Sequence, residues 1–102
     1  MLEVQPAPAN INRAMTIAGS DSGGGAGLQA DLKAFAANGV YGTSVVTTVT
    51  SQNTLGVQEV LELPISLIES QIDSVLTDIG TDVVKTGMLY SSDVIRSVAA
   101  KI

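Results

Sequence analysis

The sequence predicts an α/β fold with a mostly parallel sheet. Short apolar or β-branched runs, typical of buried strands, alternate with segments whose apolar residues recur every three or four positions, as on one face of a helix. A glycine-rich stretch connects the first such run to the first helical segment. Because strands that alternate with helices pair in parallel through right-handed crossovers, this order favours one sheet covered by helices.

The first half of the chain predicts a strand, a loop, a helix and a second strand. The apolar run Ala14–Ala18 predicts a buried first strand, and Gly19–Gly27 follows it as a loop. Gly27–Asn38 has a helical period, and we expect this helix to stop at Asn38-Gly39 because glycine adopts the left-handed conformation without steric cost. Thr43–Thr50 is dense in Val and Thr and predicts the second strand.

The second half predicts two further strands, each followed by a helix. Val57–Leu63 is the third strand, ended by Pro64, and Asp82–Met88 is the fourth. Ser66–Glu69 has the form of a capping box and predicts the start of a helix that ends at Gly80. The expected buried face of this helix consists of Ile68, Ile72, Val75, Leu76 and Ile79. The last helix is expected to have Ser91 or Ser92 as its cap and Ile95, Val98, Ala99 and Ile102 as its buried face.

Composition excludes several classes of function. The net charge is −5 and the five Lys and Arg residues are scattered, which argues against a nucleic-acid interface. The sequence has no Cys or His, so disulfides, His-ligated zinc and Ser-His catalysis are excluded. No apolar run reaches the roughly 20 residues that span a bilayer. Residues 1–13 are interpreted as a loose leader without a secretory signal and residues 14–102 as the domain, and we expect a cytoplasmic protein.

The loop Gly19–Gly27 is the most informative feature. Four of residues 23–27 are glycine, so the backbone can approach a ligand closely, and the helix that follows offers amides and a dipole that favour acceptors or anions. The loop is not a P-loop, because Gly25 stands where that motif needs Lys. Gly25–Ala30 matches the relaxed dinucleotide pattern, but no acidic residue ends the next strand to bind a ribose. A flexible turn without a ligand is the simplest alternative.

Polar residues follow the second predicted strand, and a lysine lies within the fourth. Gln52, just beyond the second strand, offers one acceptor and two donors to the edge of a heterocycle. Ligands of open α/β sheets bind beyond the carboxyl ends of strands, although a polar turn is the simpler explanation of Ser51–Thr54 alone. Lys85 lies in an apolar strand, where a charge is costly unless it is paired or functional. Met88 packs either in the core or on a flat ring.

Three segments resemble, in the same order, the signatures of the hydroxymethylpyrimidine/phosphomethylpyrimidine kinase family. They are Thr16–Asp31, Gln52–Val57 and Val84–Leu89. The resemblance extends from about Ala14 to the last residue. It implies a ribokinase-like fold, a three-layer α/β/α sandwich, of which this chain would be an incomplete N-terminal part.

The resemblance also implies a function in thiamine biosynthesis. Members of this family phosphorylate 4-amino-5-hydroxymethyl-2-methylpyrimidine, and then its monophosphate, with Mg-ATP. Their general base, anion hole and ATP site lie in the C-terminal part, so ATP and Mg²⁺ are expected for the complete enzyme. No catalytic, cofactor-binding or metal-binding residue is expected in this chain. The chain alone is expected to be inactive, and a homodimer of the full-length enzyme is a further expectation.

Position by position, the resemblance implies seven substrate-binding residues. They are Gln52, Gly19, Ala26, Met88, Thr50, Asp21 and Asp31. Gln52 should pair with the pyrimidine ring, Gly19 and Ala26 should offer backbone contacts, and Met88 should pack on the ring. Thr50 stands where the family usually has an aliphatic residue, so it keeps the shape and adds a hydroxyl. The two aspartates match family positions near the substrate.

Two alternatives stay open. One is a related ribokinase-like kinase, such as one acting on pyridoxal, although Gln52–Thr54 and the glycine-rich loop favour the pyrimidine enzyme. The other is a non-catalytic ligand-binding or interaction module, which predicts that the chain of 102 residues folds cooperatively. The apolar helix face at Val98 and Ile102 argues against this module, and we expect the chain alone to be marginally stable and prone to associate.

Overall fold

The computed structural model describes residues 11–102 and has a mixed α/β architecture. Its elements in chain order are β1 (Arg13–Asp21), α1 (Gly27–Ala37), β2 (Tyr41–Asn53), β3 (Gly56–Glu62), α2 (Ile65–Ser74), β4 (Val83–Thr86) and α3 (Ser92–Lys101). A π-helical turn, Val75–Ile79, extends α2. The predicted α/β class is confirmed, and most of the predicted leader, residues 1–10, lies outside the described residues.

The sheet has four strands in the order β3-β2-β1-β4. β1 pairs in parallel with β2 and β4, whereas β3 pairs antiparallel with β2. The antiparallel pairing follows from connectivity, because only Thr54 and Leu55 separate β2 from β3 and a parallel pair needs a long crossover. The carboxyl ends of the three parallel strands therefore share one edge of the sheet, and the β2-β3 hairpin turns at that edge.

Three strands differ in length from their predictions. β2 extends over Tyr41–Asn53, so Gln52, which was expected just beyond this strand, lies within its last residues. β1 continues past Ala18 to Asp21, because its last two residues still pair with Val49 and Thr50 after an irregularity in the register. β4 ends at Thr86, before the predicted end of the strand. The aspartate that was assigned to the glycine-rich loop therefore belongs to a strand, which fixes its backbone.

The helix starts show one wrong and one confirmed prediction. The capping box predicted at Ser66–Glu69 is wrong, because α2 begins at Ile65 and its N-cap residue, Pro64, makes no side-chain hydrogen bond. Ser66 consequently lies inside the first turn, where its hydroxyl cannot act as the cap. α3 is capped as predicted, since the Ser91 hydroxyl accepts a 3.2 Å hydrogen bond from the amide of Val94.

The core lies between one face of the sheet and the helices α2 and α3. It consists of Met15, Ile17, Val45, Ile68, Ile72, Val94 and Val98. Thr16, which alternates with the β1 members of this set, instead donates a hydrogen bond to Asp31 of α1. Because neighbouring strand residues point to opposite faces, α1 covers the other side of the sheet and the structure has three layers.

The face that α3 buries agrees with the predicted one only at Val98. Val94 and Val98 are buried, whereas Ile95 is 52% and Ile102 is 59% exposed, and Ala99 is exposed as well. The two valines are one turn apart on the same face, and the cap at Ser91 sets the start of the helix and hence which residues face the sheet. Of the face predicted for the preceding helix, Ile68 and Ile72 are buried in α2, as expected, whereas Leu76, in the π-helical turn, is exposed.

Arg13 joins the start of β1 to the segment before β4. Its guanidinium donates to the Asp82 carboxylate at 3.0 and 3.2 Å and to the carbonyl of Ile79 at 2.5 Å. The backbone amide of Arg13 donates to the same carboxylate at 2.7 Å. Arg13 was assigned to the leader, but it is the first residue of β1 and anchors the turn that leads into β4.

We expect fold stability to depend on pH through Asp82. Hydrogen bonds from the side chain and the backbone of Arg13 hold the pKa of Asp82 below its ordinary value. Such a carboxylate stabilises the fold above its unfolded pKa of about 3.9, and this contribution is lost as the pH falls through the folded pKa. Asp82→Asn should therefore lower the melting temperature at pH 7 and match the wild type at the acid end of a series down to pH 2. An equal deficit across that range would contradict this assignment.

Candidate functional site

A cavity of about 500 Å³ opens at the carboxyl edge of the parallel strands. Its lining residues come from β1, β2, β3, the start of α1 and the segment after β4, and they are Gly19, Ser20, Asp21, Ala26, Gly27, Thr50, Gln52, Val57, Val60, Lys85, Gly87, Met88 and Tyr90. This volume suits a small organic ligand. The position beyond the ends of parallel strands is the one at which open α/β sheets bind ligands.

Six of the seven predicted site residues line this cavity. They are Gly19, Asp21, Ala26, Thr50, Gln52 and Met88. The seventh, Asp31, does not line the cavity. It accepts a hydrogen bond from Lys85, which is a lining residue. Sequence reasoning missed Val57 and Val60, since only the hairpin geometry brings β3 over the cavity. It also missed Tyr90, for which the sequence held no signal.

The glycine-rich loop is folded around the carboxylate of Asp21. Its two oxygens accept hydrogen bonds from the amides of Gly23 at 2.7 Å, Gly25 at 3.0 Å and Ala26 at 2.8 Å. The expectation that these amides point at a ligand is therefore wrong, because the chain supplies the anion itself. Asp21 is buried, and its role is to hold the loop in the shape that closes one side of the cavity.

Removing the Asp21 carboxylate should loosen this loop. Asp21→Ala leaves three loop amides without their acceptor, and hydrogen bonds to a charged group contribute about 1.5–3 kcal/mol. We expect a loss of about 2 kcal/mol in the free energy of unfolding, together with faster hydrogen exchange at the amides of Gly23, Gly25 and Ala26. Asp21→Asn, which keeps one carbonyl oxygen, should fall between alanine and the wild type. Unchanged exchange at these amides in the alanine variant would contradict the role given to Asp21.

The close approach of this loop to β1 requires glycine at two positions. Gly27 has a φ of +61°, and a Cβ atom at this position would overlap the carbonyl oxygen of Gly19. A Cβ atom at Gly19 would lie 2.6 Å from the hydroxyl of Thr48 and 3.4 Å from the terminal methyl of Met88. Side chains at either position would displace the walls of the cavity.

Gln52 is held at the cavity wall through both its backbone and its side chain. The backbone amide of Gln52 donates to the Ser22 hydroxyl at 2.7 Å, and that hydroxyl donates to the backbone carbonyl of Gln52 at 2.6 Å. The Gln52 Oε1 atom lies 3.1 Å from the hydroxyl of Thr50, which is itself 2.7 Å from the carbonyl of Ser20. This network positions the amide group of Gln52 beside the strand end, where one donor and one acceptor can meet a ligand edge.

Lys85 is paired, although β4 is largely exposed and its position there does not by itself require a partner. Its ammonium donates to Asp31 Oδ2 at 2.9 Å, and the Thr16 hydroxyl donates to the same oxygen at 2.7 Å. Burial acts to raise the pKa of Asp31, but the hydrogen bonds from Thr16 and Lys85 together outweigh it and keep this pKa below its ordinary value. The carboxylate therefore stays ionised at neutral pH and connects α1, β1 and β4.

Met88 and Tyr90 form the side of the cavity beyond β4. The carbonyl of Met88 accepts a 2.9 Å hydrogen bond from the Thr47 hydroxyl, and the side chain of Met88 is half-exposed. The exposure favours the ring-packing alternative for Met88 over a place in the core. Tyr90 has a φ of +79°, a left-handed conformation that is unusual for a bulky residue and that ends the segment before the Ser91 cap.

The described part of the chain does not form a metal centre. Among residues 11–102, no three His, Cys, Asp or Glu side chains are grouped closely enough to hold a metal ion. In the same range, no helix is both long and apolar enough to cross a membrane.

Comparisons with known sequences identify the family to which the chain is similar. A family model described as phosphomethylpyrimidine kinase matches residues 21–102. The hydroxymethylpyrimidine/phosphomethylpyrimidine kinase of Bacillus subtilis is 55% identical over 93 residues, which cover 91% of this chain and 34% of that protein. A thiamine biosynthesis bifunctional protein of Geobacter sulfurreducens is 51% identical over 96 residues, which cover 94% of this chain and 20% of that protein. The chain thus spans between a fifth and about a third of the length of these curated relatives.

Solved structures of similar proteins share the fold of this chain. The phosphomethylpyrimidine kinase of Clostridium difficile superimposes with a TM-score of 0.85 at 49% identity, covering 88% of this chain and 39% of that one. The pyridoxal kinase of Staphylococcus aureus, in complex with AMP-PCP and pyridoxal, gives a TM-score of 0.82 at 35% identity, covering 91% of this chain and 35% of that one. The expected ribokinase-like fold is confirmed by these matches. The chain belongs to the phosphomethylpyrimidine kinase family.

Proposed function

We propose that this chain supplies the pyrimidine-binding part of a kinase that phosphorylates 4-amino-5-hydroxymethyl-2-methylpyrimidine and its monophosphate with Mg-ATP, in thiamine biosynthesis. One observation carries the proposal. The amide of Gln52, the close backbone at Gly19 and Ala26 and the half-exposed Met88 converge on one cavity at the carboxyl edge of the sheet. The names of the relatives support the same substrate class.

The described residues bind and orient the pyrimidine. The Gln52 amide pairs with the ring edge that presents the exocyclic amine and a ring nitrogen, since an amide offers a donor and an acceptor without charge. Met88 packs against the ring face, and the closed loop around Asp21 excludes water from one side. ATP with Mg²⁺ supplies the phosphoryl group, bound in the part of the relatives' length that this chain does not span. A cytoplasmic location and a homodimer of the full-length enzyme complete the proposal.

Pyridoxal is the second candidate substrate. The pyridoxal kinase of Staphylococcus aureus shares the fold, and its structure was solved with pyridoxal bound. Identity favours the pyrimidine, because among the solved structures it is 49% to the phosphomethylpyrimidine kinase of Clostridium difficile and 35% to this pyridoxal kinase. Pyridoxal also has no exocyclic amine beside a ring nitrogen, so its ring edge does not match the Gln52 amide.

Calorimetric titration of the chain with three ligands tests the proposed function. The ligands are the hydroxymethylpyrimidine, its analogue without the 4-amino group, and pyridoxal. We expect saturable binding of the pyrimidine, with the analogue about tenfold weaker, because the Gln52 amide loses a partner worth about 1.4 kcal/mol. Pyridoxal that binds as tightly as the pyrimidine would favour the second candidate. If neither the pyrimidine nor pyridoxal showed saturable binding, both candidate functions would be contradicted.

A further inference from the structure

Among residues 11–102, Lys85 is the one cationic side chain that lines the cavity. We propose that Lys85, oriented by Asp31, binds the anionic group of a phosphorylated ligand and so sets the preference of the cavity between the pyrimidine alcohol and its monophosphate. The inference rests on the proposed function for the identity of the ring. In it, Asp31 is a positioning residue that acts through Lys85, and it does not touch the ligand.

The geometry leaves part of the ammonium free for a ligand. Lys85 donates one hydrogen to Asp31 Oδ2 at 2.9 Å, and an ammonium has three hydrogens to donate. The side chain of Asp31 is only 16% exposed and is fixed by the buried Thr16, whereas that of Lys85 is 47% exposed. The carboxylate is thus a fixed anchor, and the ammonium that it holds lies at the surface of the cavity.

Gly87 keeps the space between this ammonium and the cavity open. A Cβ atom at Gly87 would lie 3.3 Å from Lys85 Nζ and 2.9 Å from the Cβ atom of Ala18. Its φ is not in the left-handed region, so backbone conformation does not require glycine here. The absence of a side chain instead lets the ammonium border the cavity, which Gly87 itself also lines.

The charges around the cavity suit both a neutral and an anionic ligand. The Asp21 carboxylate is stabilised by three loop amides, and Asp31 balances Lys85 when the ligand is the neutral alcohol. When the ligand carries a phosphate, Lys85 can direct its remaining hydrogens to that group, and such charge-assisted bonds are stronger than neutral ones. Lys85 therefore favours the monophosphate, and the charge of Asp31 opposes it.

Two substitutions with opposite expected signs test the inference. Affinities for the hydroxymethylpyrimidine and its monophosphate are measured by calorimetry at low salt, and the readout is the ratio of the two. Lys85→Met should lower the relative affinity for the monophosphate about tenfold, the loss of one charge-assisted hydrogen bond. Asp31→Asn keeps an acceptor for Lys85 but removes a negative charge, and it should raise that ratio about threefold. If Lys85 and Asp31 had only a structural role, neither substitution would change the ratio of the two affinities.

The control is Lys101→Met, which removes a lysine of a similar ion pair, with Asp73, away from the cavity. It should leave the ratio unchanged. Lys85→Arg, which keeps the charge, should retain the preference, and it replaces Lys85→Met as the comparison if thermal unfolding shows that the methionine variant does not fold. An unchanged ratio in both Lys85→Met and Asp31→Asn, or a lost preference in Lys85→Arg, would overturn the inference while the proposed function stands. A wild-type chain that binds neither ligand would overturn the proposed function itself.

Discussion

Gln52→Leu should weaken pyrimidine binding by about 1–3 kcal/mol, the cost of leaving a buried polar edge of the ligand unpaired. This corresponds to a loss of about tenfold to more than a hundredfold in affinity. Gln52→Glu keeps the size of the side chain but removes its donors, so it should weaken binding within the same range. Calorimetric titration of the chain with the hydroxymethylpyrimidine measures both effects.

Gln58→Leu is the matched control for this pair of variants. Gln58 lies on β3, and its side chain donates to Asn53 and to the carbonyl of Gly56 without lining the cavity. The same chemical change should therefore leave pyrimidine affinity nearly unaltered there. If Gln52→Leu bound the pyrimidine as tightly as the Gln58→Leu control, Gln52 would not be the residue that pairs with the ring.

Gly27→Ala should destabilise the fold by about 2–5 kcal/mol, the second large effect that we expect. A left-handed conformation costs about 1–2 kcal/mol for a residue with a side chain, and an overlap in a packed site adds about 1–3 kcal/mol. Gly27 has both problems, because its φ is +61° and its added Cβ atom would meet the Gly19 carbonyl. Urea unfolding of the two proteins gives the difference in the free energy of unfolding.

Gly39→Ala separates the two contributions. Gly39 has a φ of +71°, but a Cβ atom there would have no neighbour within 4 Å. This variant should therefore lose only the conformational part, about 1–2 kcal/mol. Equal losses in the two variants would show that the approach of the loop to β1 is not close enough to need glycine at Gly27.

The outline of the site was predictable because its parts are local in sequence. A dense glycine stretch between a strand and a helix, and Gln52 at the end of the next strand, both point to the carboxyl edge of a parallel sheet. Physical reasoning led to that edge, and the family resemblance added Gly19, Ala26 and Met88 by their positions in the motifs. The structure brings these residues together, while their contacts with a ligand stay predictions.

The roles of the two aspartates were not predictable from the sequence. Asp21 belongs to the end of β1, and only the folded loop shows that its carboxylate takes up the amides expected to face a ligand. Asp31 and Lys85 are 54 positions apart, and their pairing across α1 and β4 depends on how the layers stack. Periodicity and turn signals describe local structure and carry no information about such pairs.

Local patterns also misplaced parts of the fold, for identifiable reasons. Ser66–Glu69 fits a capping box, but α2 starts earlier, at Ile65 after Pro64, so the motif falls inside the helix. The α3 face was misassigned because Ile95 is apolar and helically spaced, although half of it is exposed. The tight hairpin between β2 and β3 places Val57 at the cavity. The sequence pattern indicated a strand there but not its position relative to the cavity.

Two-dimensional ¹H–¹⁵N NMR of the chain, titrated with 4-amino-5-hydroxymethyl-2-methylpyrimidine, tests the central claim most directly. The claim is that one pyrimidine binds at the carboxyl edge of the sheet, between the glycine-rich loop and the end of β4. We predict saturable shifts of the Gln52 side-chain amide and of the backbone amides of Gly19, Ala26 and Met88, with little change in α3. Shifts that do not saturate, or that cluster on α2 and α3 while the Gln52 side chain stays unchanged, would contradict it.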